Sequence, residues 1–160
     1  DLWPETSKMI LVLLMFIGAC AGSTGGGFKI SRLLILCKAI PKQLSLVIHP
    51  REVKVIRMDG KPIDHNTLRS TNVYLAIYFF ILLVSTLLIS VDNFNLTTNF
   101  TAVASTLNNI GPGLDGVGPT RNFGMYSDFS KFVLMFDMLA GRLELYPLLI
   151  LFMPSLWRRK

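Results

Sequence analysis

Residues 73–91 read VYLAIYFFILLVSTLLISV, nineteen consecutive positions without a charge. At about 1.5 Å of rise per residue, a helix of that length covers the roughly 30 Å hydrocarbon core of a bilayer. The run reads as a membrane-spanning helix, and it restricts its neighbours to what a bilayer tolerates. Residues 129–154 are long enough to span as well, but they carry Lys131, Asp137, Arg142 and Glu144, so this segment does not face lipid all round. A third span is read in residues 28–48, apolar at 33–37 and 44–48 and broken by Lys29, Arg32, Lys38 and Pro41. Two further apolar stretches, 9–17 and 100–107, are too short to cross, and each runs into glycine. Short stretches beside true spans are typical of re-entrant segments. Pro4-Glu5-Thr6-Ser7 and Thr97-Thr98 mark their helix starts.

Composition agrees with a membrane setting. Charged residues are 16% and apolar residues 51%, whereas a soluble domain carries roughly 25% charge and a disordered chain has few apolar residues. A net charge of +6 invites a nucleic-acid reading, but nine of the sixteen Lys and Arg fall within residues 29–69, and three more are Arg158, Arg159 and Lys160. Residues 92–128 hold only Arg121 against Asp92, Asp115 and Asp128. The positive-inside rule places the first connection and the tail in the cytoplasm and residues 92–128 outside. No nucleic-acid partner is expected. Alternation over residues 53–58 before Asp59-Gly60 predicts a small cytoplasmic hairpin, either a docking element or a compact loop.

No enzyme chemistry is legible. Gly22-Ser23-Thr24-Gly25-Gly26-Gly27-Phe28-Lys29 lacks the Lys-Ser/Thr ending of a phosphate-binding loop, and His49 and His65 stand alone. Cys20 and Cys37 have no ligand-spaced companions and read as small buried hydrophobes. Asn95-Leu96-Thr97 and Asn99-Phe100-Thr101 match the glycosylation pattern but read as the entry of the second short helix. Asp1-Leu2-Trp3-Pro4-Glu5 is not a basic signal region, and the chain reads as a piece of a longer one.

The order is therefore short helix, glycine turn, span, cytoplasmic loop, span, short helix, glycine turn, span, a repeat of 89 positions from Gly22 to Gly111. Irregular backbone at membrane depth is tolerated where it is buried in protein or lines a watery cavity. Glycine turns there let carbonyls replace the hydration shell of a monovalent cation, and half-helix C-termini add partial negative charge.

Three motifs in this order, residues 18–29 (GACAGSTGGGFK), 107–113 (LNNIGPG) and 138–144 (MLAGRLE), resemble the third and fourth pore repeats of the TrkH family in the Trk/Ktr/HKT cation transporter superfamily. The resemblance implies an all-α integral membrane fold of repeated M1–pore helix–filter loop–M2 units, with residues 1–48 in repeat three, 49–71 a cytoplasmic connection, 72–157 repeat four and 158–160 a basic tail. It implies potassium uptake across the cell inner membrane through a carbonyl-lined filter, with Ala21, Gly22, Ser23, Asn109, Ile110 and Gly111 on the ion and the key glycines at Gly22 and Gly111. It implies gating by Arg142 and by an intramembrane loop that begins at Gly25, Gly26 and Gly27. It also implies a homodimer in the lipid bilayer with a cytosolic nucleotide-binding regulatory subunit, TrkA, and no cofactor of the chain's own. Arg142 lies about 20 Å into its helix, either as a fixed charge below the filter or as a tie between helix carbonyls. A sodium-permeable relative and a non-conducting scaffold for a cytosolic partner are the rival readings.

Overall fold

A computed structural model describes residues 3–20, 23, 26–49, 55–58 and 60–143. Five helices and one hairpin follow in chain order: α1 Glu5–Phe16, α2 Ile30–Ile48, β1 Arg57–Met58, β2 Lys61–Pro62, α3 His65–Ile89, α4 Leu96–Leu107 and α5 Asp128–Leu143. Ala21, Gly22, Gly25, Asp59, Glu144 and the basic tail lie outside the described residues.

The uncharged run forms most of α3, which a short 3-10 turn extends, so that residues His65–Asp92 make one 28-residue helical stretch long and apolar enough to cross a membrane. Its buried positions are Thr71, Tyr74, Tyr78, Leu82, Ser85 and Ile89, a three-and-four spacing that lays a single stripe on the protein. Phe80, Leu83 and Leu87 remain exposed on the other faces, as a bilayer permits. The stripe packs on α4 and α5 and, further along, on α2. Phe28, Tyr74 and Tyr78 stack together there, with ring centroids 6.0 and 6.2 Å apart, and Phe16 closes on Tyr78 edge-on at 6.4 Å.

α4 is the most enclosed element, buried from Thr101 to Leu107. It begins earlier than the apolar stretch suggests: Asn95 Oδ1 accepts from the Thr98 amide at 2.7 Å and caps the helix, so Thr97 and Thr98 lie inside it. The polar face survives burial because its hydroxyls bond back to helix carbonyls, Thr101 to Thr97 at 2.7 Å and Thr106 to Ala102 at 2.9 Å. α1 and α4 are both twelve residues long and start 91 positions apart. Counted along the sequence, Gly22 comes six positions after the end of α1 and Gly111 four positions after the end of α4.

Two expectations are corrected and one is met. α2 is continuous through Pro41, which removes one donor from the ladder without ending the helix. The small hairpin expected at Gly60 is present, pairing Arg57 with Pro62 and Met58 with Lys61 around Gly60 at φ +77°, and Lys38 Nζ donates to the Arg57 carbonyl at 2.9 Å. Cys20 and Cys37 are exposed in this chain. Ile35 and Ala39 carry the buried face of α2, and Cys37, two positions from each, points away from it.

Candidate functional site

The end of α4 sets the geometry of the second glycine turn. Asn109 adopts the left-handed conformation at φ +55°. Its amide donates to the Thr106 carbonyl at 3.1 Å, and the Ile110 amide donates to Ser105 at 2.9 Å. This pair of bonds is a Schellman stop, which satisfies the last helix carbonyls and commits the loop's amides inward. Among the described residues no donor reaches the carbonyls of Asn108, Asn109 and Ile110. Gly111 follows at φ +113°, where a side chain would meet open space, so the backbone conformation is what selects glycine here. Its carbonyl accepts from Ser105 Oγ at 2.7 Å.

Side chains fix this loop from both sides. Tyr78 donates its hydroxyl to Asn108 Oδ1 at 2.9 Å, and Asn108 Nδ2 donates to Ala104 at 2.8 Å. Asn109 Nδ2 donates to the Met138 carbonyl of α5 at 3.1 Å. Below it, Gly141 lies so close to the Leu107 carbonyl that no β-carbon fits.

The first glycine turn meets the second. Its ends are pinned by the Gly18 amide on Phe28 O at 2.9 Å and the Ile30 amide on Ala19 O at 3.2 Å. Gly26 lies directly against Asn108 O and Asn109, and Gly27, at φ +80°, against Asn108 Oδ1. A β-carbon on either would strike the second loop. Leu14, Ile17 and Gly18 at the end of α1, together with Asn108, Asn109 and Ile110 at the end of α4, border one cavity of about 720 Å³. Two helix C-termini and the second loop's carbonyls, which accept from no donor among the described residues, therefore border the same space beside Lys8, and the helix ends and carbonyls are groups that attract a desolvated cation. Ser23 is exposed, and Gly111 borders a neighbouring cavity of about 440 Å³ with Ser105 and Met138.

Arg142 is exposed on α5 and borders a cavity of about 540 Å³ with Asn109, Met135, Met138 and Leu139. It makes no ion pair among the described residues. The start of α4 is tied to Asp115, whose carboxylate accepts from Asn95 Nδ2 and, at 3.0 Å, from Thr98 Oγ1. Those donors, the Asn95 amide foremost, hold its carboxyl below the usual carboxylate range. A depressed carboxyl contributes stability that is complete above the ordinary carboxylate value near 4 and is lost as pH falls through the folded value. Thermal unfolding of the full-length protein in detergent is expected to show a drop in acid that is reduced in Asp115→Asn. Equal acid losses in both would show that Asp115 contributes nothing to it.

Sequence reasoning placed Asn109, Ile110 and Gly111 where the loop lies. It missed Tyr78, Ser105 and Asn108 as the groups that hold the loop. A tyrosine and a serine inside apolar helices were the available signal, since a polar group in a bilayer needs a partner.

Short re-entrant helices that end in carbonyl-bearing loops, each followed by a second helix, define a pore-loop membrane protein of the potassium-channel-like class. The sequence profile of the TrkH family, described as cation transport proteins, matches residues 1–159, and the chain belongs to that family. It is 38% identical over 156 residues to the Trk system potassium uptake protein TrkH of Vibrio parahaemolyticus, covering 98% of this chain and 32% of that protein. It is 37% identical over 156 residues to TrkH of Escherichia coli, with the same coverage, and 33% identical to Escherichia coli TrkG. The crystal structure of the potassium transporter TrkH from Vibrio parahaemolyticus superposes with a TM-score of 0.86 at 38% identity, over 98% of this chain and 33% of that one. The chain spans about a third of the length of these relatives.

Proposed function

We propose that this chain supplies repeats three and four of a potassium-uptake pathway through the cell inner membrane. Residues 1–48 provide one pore helix, filter loop and M2, residues 49–71 the cytoplasmic connection, residues 72–157 a full M1–pore–M2 unit and residues 158–160 a cytoplasmic tail. The observation that carries this reading is the convergence of two half-helix C-termini, with Gly26 packed on Asn108 and Asn109, around one cavity. Relatives named for potassium uptake support the choice of ion.

In this reading Ala21, Gly22 and Ser23 face Asn109, Ile110 and Gly111 around the ion path. The Gly111 carbonyl keeps a lone pair for an ion while the other accepts from Ser105. Arg142 and the segment that starts at Gly25, Gly26 and Gly27 gate the path from below. The full-length protein acts as a homodimer with the nucleotide-binding subunit TrkA on its cytoplasmic face.

Rubidium and sodium uptake into proteoliposomes of the full-length transporter tests the reading. Wild type should take up rubidium in preference to sodium. Gly111→Ala, forced into a positive φ at a strain of about 1–3 kcal/mol, should lose that preference. Absence of rubidium uptake in wild type would refute the transport function, and unchanged selectivity in the variant would refute the filter role of Gly111.

A further inference from the structure

Asp137 is wholly buried in the middle of α5. It lies about 13 Å along the helix from its outer end. Its Oδ1 accepts from Ser85 Oγ on α3 at 2.7 Å, and among the described residues its Oδ2 has no hydrogen-bond partner. This burial is complete within the present chain, so no additional repeat can expose the group.

Among the described residues no charged group faces it. α3 offers Ser85 and, two turns away, Tyr78, whose hydroxyl is committed to Asn108. α4, LTTNFTAVASTL, has no titratable side chain. Lys131 and Arg142, the nearest cations on α5 itself, lie six and five positions away in sequence, on other turns. An ionised carboxylate without a cation is too costly at such a site, and the group takes up a proton instead. As a neutral acid it keeps the bond that Oδ1 accepts from the Ser85 hydroxyl and leaves Oδ2 as an uncharged hydroxyl, which is far cheaper to bury bare than an anion.

The bond also sits at a particular place. Asn108 is tied to Tyr78 on α3, and Asn109 is tied to Met138 on α5. Tyr78 and Ser85 share the buried stripe of α3, and Met138 is the neighbour of Asp137. The ties Asn108–Tyr78, Ser85–Asp137 and Met138–Asn109 therefore close a circuit around the filter loop, in which Asp137–Ser85 is the direct link between the two supporting helices. We propose that Asp137, held as a neutral acid, is a positioning residue for the filter loop, and that ionising it puts an uncompensated charge into the α3–α5 contact, which opens that contact to water and loosens ion selection.

The inference rests on the reading of this chain as part of a potassium pathway, and its test separates the two. In proteoliposomes of the full-length transporter, rubidium-over-sodium preference is measured from pH 7 upward in wild type, Asp137→Asn and Ser85→Ala. Above the titration point the neutral fraction falls about tenfold per pH unit, and wild-type preference should fall with it. Asp137→Asn, whose amide oxygen still accepts from Ser85 and which carries no ionisable proton, should retain the preference and lose the alkaline fall. Ser85→Ala should be weakened at every pH. A merely structural role would not make the asparagine variant flat in pH, and matching wild-type and asparagine profiles would overturn the proposal. Infrared difference spectra of wild type against Asp137→Asn give an answer independent of transport: a protonated-carboxyl carbonyl band at neutral pH supports it, and its absence overturns it. A wild type with no rubidium uptake would sink the functional reading, and the infrared band would still decide whether Asp137 holds a proton.

Discussion

Gly141→Ala is expected to destabilise the full-length protein by about 3 kcal/mol or more, the upper end of what overpacking a rigid contact costs. Two effects of the substitution oppose each other. Inside a helix, alanine is favoured over glycine by about 1 kcal/mol, so helix propensity alone predicts a small stabilisation of α5. Against that, the added β-carbon would overlap the Leu107 carbonyl and approach Asn109 Nδ2 to 2.8 Å. Neither obstacle can yield easily. Leu107 is the last residue of α4, and Asn109 Nδ2 is engaged with the Met138 carbonyl. The steric effect therefore wins, and the sign decides the matter experimentally. Melting temperatures of wild type and variant in detergent measure it, and a variant as stable as wild type, or more so, would show that α4 and α5 do not cross at Gly141.

The second large effect belongs to Arg142. A unit charge within about 8 Å of an ion path, at an effective dielectric near 20, raises the barrier to a cation by about 2 kcal/mol. Arg142→Ala is accordingly expected to raise potassium flux through the full-length transporter by about thirtyfold. Arg142→Lys, which keeps the charge, should remain close to wild type. The position supports this effect, since Arg142 borders the same cavity as Asn109 of the loop above it. Arg142→Ala with unchanged flux would instead favour an arginine that ties helix carbonyls together.

The membrane class, the two short helices and the second loop were legible because each rests on a local pattern. Nineteen uncharged residues can be read without any knowledge of neighbours. So can the polar run Asn108-Asn109-Ile110-Gly111 after an apolar stretch. The start of α4 was misread because its first turn is polar, and a cap by Asn95 outweighs the missing hydrophobicity. Cys20 and Cys37 were misread for a related reason. Composition assigns cysteine to the interior on average, but which side of α2 is interior depends on what packs there.

The repeat shows where local reading ends. The glycines suggest a unit of 89 residues and the helices one of 91, and only the folded chain reveals that the first loop absorbs the difference. What the sequence alone determined is the membrane class, one long span and two short helices that run into glycine turns, because the bilayer constrains length and backbone satisfaction segment by segment. The tertiary structure decided which polar groups meet. Tyr78 with Asn108, Ser85 with Asp137 and Asn109 with Met138 are pairs 29 to 52 positions apart. Such pairings depend on helix rotation and crossing, which side-chain packing across all the elements fixes together and no single segment encodes.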